Sequence, residues 1–204
     1  MLNIAVSQGP IHIPGFLPKK KCQDLVDDHT VNEKSMTIHH RDIVFNPRKR
    51  KSKTKYITFM EIGGVCFDVK KVVDTYMLEE HNVYSSNMQI TKYETTDFFK
   101  IHSDALTNEQ MPVLGPQRLW TAVVYLNDDY KGGELVFPYK HQAFFPEQGD
   151  LVCWPNVDDN NKLIREMDHA SMTVFDGTKY IAVFLYTERL RKTVPNDDTQ
   201  LECV

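Results

Sequence analysis

His102 and Asp104 stand two residues apart at the end of the run FFKIHSD. Side chains on an extended segment repeat every two residues, so this imidazole and this carboxylate would project to one side. His169 lies much further along, and a fold that returned it to the pair would place two nitrogen donors and one oxygen donor on one face of an ion. That set suits non-haem Fe(II), because it leaves coordination positions open for substrate and O2. Short motifs also arise by chance: 8 His and 28 acidic residues in 204 positions give roughly one His-x-Asp or His-x-Glu at random. This chain has two. The other, His40-Arg41-Asp42, has no downstream residues at the spacing a site needs, and it reads as ordinary strand or loop polarity. It is also a poor kinase catalytic loop, since no glycine-rich phosphate loop or Asp-Phe-Gly accompanies it.

What distinguishes His102 and Asp104 is the ordered set of pieces from Tyr93 to Lys179: YETTDFFKIHSD, QRLWTAVVYLNDDYKGGELVFP, QGDLVCWP and DHASMTVFDGTK. Tyr93 precedes His102 by nine residues. Thr121, Tyr125-Leu126-Asn127, Gly132-Gly133-Glu134 and Phe137-Pro138 follow in order, then Gly149-Asp150, and Lys179 comes ten residues after His169. In these pieces the chain resembles the 2-oxoglutarate- and Fe(II)-dependent oxygenases, most closely the prolyl 4-hydroxylase-like branch, from Pro10 to about Arg189. The resemblance implies that His102, Asp104 and His169 hold Fe(II), with 2-oxoglutarate and O2 in the remaining positions. It implies that Lys179 anchors the far carboxylate of 2-oxoglutarate, helped by Tyr125, with Tyr93 and Thr121 in the same pocket. Arg118 would stand at the pocket mouth beside the reacting residue. Residue chemistry agrees about Lys179, since a lysine on an otherwise apolar strand (Tyr180, Ile181, Val183, Leu185) is costly to bury without an anionic partner.

The implied reaction converts 2-oxoglutarate to succinate and CO2 while hydroxylating a prolyl residue of a peptide or protein, with ascorbate a candidate reductant. The carboxylate of Asp104 fits hydroxylation, because halogenating members of the family carry a small residue there. Two alternatives stay open: the same chemistry on another side chain, a nucleobase or a small metabolite, and a jelly-roll binding module without turnover. Departures from the family pattern cluster near the substrate. Leu135 stands for a threonine, Thr96 for a glycine, Phe99 for a frequent tyrosine and Leu185 for a tryptophan.

The elements that must position these residues read as mainly β, within an α+β pattern. Short apolar runs at Met88–Tyr93, Phe98–His102, Leu119–Leu126, Leu135–Phe137, Ala143–Phe145, Leu151–Trp154, Met172–Phe175 and Tyr180–Tyr186 are separated by Gly, Pro, Asn and Asp turns. That pattern predicts a jelly roll or barrel. The resemblance implies a double-stranded β-helix with N-terminal helices packed on one sheet. Upstream, a short strand, a turn at Pro14-Gly15 and a helix from near Pro18 present Cys22, Leu25, Val26 and His29 on one face. Thr37–Phe45 reads as a loose strand, and Tyr56–Phe67 as a hairpin turning at Gly63-Gly64. Asp68 would cap a following helix with Val69, Val72, Val73, Tyr76 and Met77 as its apolar stripe.

The whole is expected to be one domain over 1–190 with a polar tail at 191–204. A hydrophobic fraction of 41% suffices for its core. A net charge of −4 gives no general pull towards nucleic acid or a membrane surface, and nucleic acid is not the favoured partner. Arg48–Lys55, RKRKSKTK, carries six cations in eight residues and reads as a solvated hairpin tip able to close over a substrate. No signal peptide or membrane span is expected, and four scattered cysteines fit a reducing, intracellular and cytoplasmic setting. Oligomeric state is not legible.

Overall fold

The computed structural model describes residues 9–30, 48–57 and 63–187. The His40/Asp42 pair, the expected strand at Thr37–Phe45 and the C-terminal tail lie outside the described residues, as does the side chain of His29. The strands are β1 (Ile11–Ile13), β2 (Arg50–Lys51), β3 (Lys53–Ile57), β4 (Tyr84–Tyr93), β5 (Phe98–His102), β6 (Arg118–Tyr125), β7 (Lys131–Gly132), β8 (Leu135–Phe137), β9 (Gln142–Phe144), β10 (Leu151–Pro155), β11 (His169–Ser171), β12 (Val174–Asp176) and β13 (Lys179–Thr187). The helices are α1 (Lys19–Thr30), α2 (Gly64–His81) and the single turn α3 (Met111–Leu114).

A six-stranded sheet runs β1-β10-β6-β13-β4-β3 and a five-stranded sheet runs β2-β5-β11-β8-β9, with β12-β7 as a small ribbon. The pairings are antiparallel, and the two sheets make the expected jelly roll. Alternation along the central strands divides the interior into two layers. Ala122 and Val124 of β6 and Ala182, Phe184 and Tyr186 of β13 share a core with Leu25 of α1 and Val69, Val73 and Met77 of α2. Val123, Tyr125 and Ile181 point the other way, into a second core with Leu135, Phe137, Val152 and Trp154. The helices therefore brace the outer side of the large sheet and leave its inner side to line a site. Among the described residues no helix is long and apolar enough to cross a membrane.

Four local expectations are corrected. Gly63-Gly64 does not turn a hairpin: Gly63 caps α2, and Gly64 takes a left-handed φ of 53° that glycine adopts without a Cβ clash. The residues after it place Cys66, Val69, Val73 and Met77 at helical spacing, and burying each such side chain contributes roughly 1.5–3 kcal/mol. That gain outweighs the turn signal. Asp68 consequently sits inside the helix, where its carboxylate meets Lys21 at 2.7 Å, and Val72 faces solvent. The strand expected at Met172–Phe175 begins only at Val174, as β12; Met172 and Thr173 lie between it and β11, and the amide of Met172 bonds the carbonyl of Glu134. Residues 48–55 are no free tip, because β2 pairs with β5 and β3 with β4.

Candidate active site

The antiparallel pairing of β11 with β5 sets His169 directly opposite His102, which is how the fold recovers a residue so distant in sequence. The two rings lie 4.3 Å apart, and Asp104, just past the end of β5, turns back towards both. His102 Nε2 is 3.5 Å from Asp104 Oδ1, and His169 Nε2 is 3.6 Å from Oδ2. One ligand atom from each residue falls within 4.8 Å of the others. Each ring is oriented by the backbone carbonyl two residues before it: His102 Nδ1 donates to Lys100 O at 2.8 Å and His169 Nδ1 to Met167 O at 3.0 Å. A carbonyl only accepts, so the hydrogen sits on Nδ1 and the Nε2 lone pair faces the shared centre.

Protonation matches that geometry. Burial among Phe137, Trp154 and the partner imidazole pushes His169 down to about 4, against the pull of Asp104. Burial alone would raise Asp104, but the imidazoles of His169 and His102 and a hydrogen bond from Thr121 hold it well below the usual carboxylate range. A neutral imidazole facing an ionised carboxylate is the state that metal binding demands. The donors present thus fit a divalent ion of intermediate softness, such as Fe(II).

Thr121 was expected against the co-substrate, and its hydroxyl is committed differently. Oγ1 donates to Asp104 Oδ2 at 2.7 Å and accepts from Asn156 Nδ2 at 2.9 Å. Asn156 is 2% exposed and had no sequence signal, being one amide in a turn-rich stretch. Phe99 stacks on His102 with centroids 3.5 Å apart.

Lys179, first residue of β13, is 1% exposed at the inner end of the same cavity. Its ammonium donates to Gly133 O at 2.5 Å and Ser171 Oγ at 3.0 Å, and it meets no carboxylate within ion-pair distance among the described residues. Gly133 can present that carbonyl because its φ of 70° suits glycine and an added Cβ would lie 3.1 Å from the lysine chain. The rings of Tyr93, Tyr125 and Tyr130 surround the ammonium at 5.3, 5.3 and 6.0 Å. Burial pushes Lys179 down to about 7, with Glu134 opposing, and raises the Tyr93 and Tyr125 hydroxyls, which stay protonated as donors. Ser171 was not singled out from sequence, although its spacing of two from His169 on a strand was the available signal.

Arg118 opens β6 at the cavity rim and reaches Asp104 O at 3.3 Å through Nη1. Gln117 ties this corner together by bonding both the amide and the carbonyl of Leu106. The cavity has a volume of 420 Å³, within the range of small-molecule sites, and runs from Lys179 past the triad to Tyr56, Gln89 and Leu185.

Comparison with known proteins agrees with this geometry. Residues 88–187 match the model of the 2OG-Fe(II) oxygenase superfamily. A prolyl 4-hydroxylase-type protein of Acanthamoeba polyphaga mimivirus is 31% identical over 111 residues, covering 52% of this chain and 46% of that protein. One from Arabidopsis thaliana is 23% identical over 192 residues, covering 84% of this chain and 66% of its own length. The chain therefore spans between about half and two thirds of the length of these relatives. Among solved structures, the viral collagen prolyl hydroxylase of Paramecium bursaria Chlorella virus-1 in complex with 2OG superposes with a TM-score of 0.73 at 22% identity, over 91% of this chain and 99% of that one. A Trichoplax adhaerens prolyl hydroxylase bound to a hypoxia inducible factor peptide gives 0.69 at 16% identity, over 89% and 84%. Residues 88–187, which carry His102, Asp104, His169 and Lys179, thus match the 2OG-Fe(II) oxygenase superfamily, and the chain is similar to prolyl 4-hydroxylases of viral and plant origin.

Proposed function

We propose that this protein is an Fe(II)- and 2-oxoglutarate-dependent hydroxylase acting on prolyl residues of a peptide or protein. The observation that carries this reading is a fully buried ammonium, without a carboxylate partner among the described residues, at the closed end of the cavity that holds the His102/Asp104/His169 cluster. His102, Asp104 and His169 would hold the ion, and Lys179 with Tyr125 would take the far carboxylate of 2-oxoglutarate. When bound, Fe(II) supplies the O2 chemistry that turns 2-oxoglutarate into succinate and CO2 and delivers one oxygen atom to the substrate.

The chain's own contribution is placement. Thr121, held by Asn156, fixes the Asp104 carboxylate towards both imidazoles. Phe99, Phe137 and Trp154 exclude water from the imidazoles, and Tyr93 closes the pocket beside Lys179. Arg118 offers a planar donor fork at the rim for a peptide carbonyl. The two core layers meeting on one six-stranded sheet support treating residues 1–190 as a single domain. The buried free thiols of Cys22 and Cys153 support a reducing intracellular and cytoplasmic setting.

The test is succinate release with Fe(II), 2-oxoglutarate and ascorbate, in the presence of proline-containing peptides, oligonucleotides or free amino acids, followed by mass spectrometry of the product. Peptides carrying hydroxyproline are the expected result. Stimulation by oligonucleotides alone would replace the substrate reading. Arg118→Ala should lower the ratio of hydroxylated peptide to succinate.

A further inference from the structure

The cationic run Arg48–Lys55 is sorted by strand alternation. Lys51 and Lys53 point outward and are neutralised by Asp97 at 3.1 Å and Glu94 at 3.0 Å. Arg50, Ser52, Thr54 and Tyr56 point inward and line the cavity, with Lys49 at its edge. The Arg50 guanidinium is held by hydroxyls, donating to Ser52 Oγ at 2.7 Å and Thr54 Oγ1 at 2.5 Å, and it lies 4.7 Å over the Phe99 ring. Arg118 adds a second fork, which reaches the backbone carbonyl of Asp104. Among the described residues none of Lys49, Arg50 and Arg118 has a carboxylate within ion-pair distance.

Among the described residues the cavity lining contains one carboxylate, that of Asp104, and it faces the imidazoles. With a divalent ion, a dianionic co-substrate, Asp104 and the Lys179 ammonium in place, the centre is electrically neutral. The walls are not: Lys49, Arg50 and Arg118 remain, arranged around the open part of the cavity. Guanidinium forks pre-set by hydroxyl contacts are suited to bidentate capture of carboxylates.

On the basis of the hydroxylase reading, we propose that the substrate is an acidic peptide, in which Asp or Glu residues flank the reacting residue and pair with Lys49, Arg50 and Arg118. On the floor, Gln89 of β4 lines the cavity beside the Thr54 and Thr91 hydroxyls, which bond each other and brace Arg50. A polynucleotide is also anionic, but it needs aromatic faces on which bases stack. Phe99 is engaged by both Arg50 and His102, which leaves Tyr56 as the one exposed aromatic ring on the lining among the described residues, too few for a run of stacked bases.

The experiment compares three fluorescein-labelled peptides with one central proline flanked by Glu, by Gln or by Lys, using full-length protein. Binding is followed by anisotropy and turnover by succinate release. The Glu peptide should exceed the Gln peptide by about tenfold or more in affinity at low salt, the sum of two or three modest ion pairs. The preference should shrink at about 0.5 M salt, where screening is strong. Lys49→Glu should reduce the preference for Glu over Gln and improve binding of the Lys peptide, a charge-reversal signature that misfolding cannot imitate. Equal affinity for the Glu and Gln peptides overturns the proposal, and so does an oligo-dT competitor that binds more tightly than the Glu peptide. Hydroxylation of all three peptides alike would sink acidic recognition while leaving the hydroxylase reading standing. Selective binding of the Glu peptide with no hydroxylation of any peptide would do the reverse.

Discussion

Replacing Lys179 by methionine keeps most of the side chain's length and removes its charge. In the free protein the ammonium has two oxygen acceptors, Gly133 O and Ser171 Oγ, which leaves its third hydrogen for an incoming carboxylate. Losing a charge-assisted contact in so dry a pocket costs about 3 kcal/mol, or roughly 150-fold in 2-oxoglutarate affinity. Proton linkage gives a second, sharper readout. Burial holds Lys179 at about 7, so at pH 8.5 only about 3% of the free protein carries the charge that the co-substrate needs. An anionic partner favours the charged form and raises that value, so binding at pH 8.5 takes up close to one proton and binding at pH 6 takes up almost none. The sign follows: affinity is highest below pH 7 and weakens about tenfold per unit above it, until the pKa of the bound form is passed. Calorimetry of anaerobic, metal-loaded protein in buffers of different ionisation enthalpy measures the uptake directly. Absence of uptake at pH 8.5, or a Lys179→Met affinity within threefold of the parent, would refute this account of the anchor.

His102→Ala and His169→Ala should each abolish stoichiometric Fe(II) binding, read as iron retained after anaerobic desalting, whereas His40→Ala should retain it. Thr121→Val strips one hydrogen bond from Asp104 and orphans the Asn156 amide, and it should weaken Fe(II) binding by about tenfold or more in a chelator competition; Thr121→Ser should restore it. Thr96 is β-branched yet has a φ of 75°, so Thr96→Gly should relieve about 1 kcal/mol of strain and raise the thermal midpoint by roughly 2–4 °C. An unchanged or lowered midpoint would mean that the Lys51 contact to the Thr96 hydroxyl outweighs the strain.

How much of this was legible beforehand depended on whether a signal was local. His102 and Asp104 could be paired from a two-residue spacing, although Asp104 lies past the end of β5 and turns back to the site, and β13 could be read from its alternation, which strand geometry predicts directly. His169 and Lys179 were reachable through their mutual offset in a resembled family, but that β11 lies opposite β5 depends on long-range pairing that no window of sequence contains. Gly63-Gly64 misled because a hairpin signal and a helix start share the same glycine, and the outcome turned on burial of Val69, Val73 and Met77. The cationic run was read as one solvated block; only its partners, Phe99 of β5 and Glu94 and Asp97 of the turn leading into it, sort it into an inner and an outer row. Asn156 was out of reach, since its importance comes from a single bond to a residue 35 positions away.

The three candidate ligands do not belong to one sheet. His102 and His169 ride on neighbouring strands of the five-stranded sheet, while the Asp104 carboxylate is bonded to Thr121 in the six-stranded one. An ion that draws all three together is a clasp across the mouth of the sandwich. Loading the metal would then set how far the mouth can open before any co-substrate or peptide arrives, and amides of β5 and β11 would be shielded from solvent exchange by the ion, whereas those between β13 and β4, already braced by the helices, would not notice it.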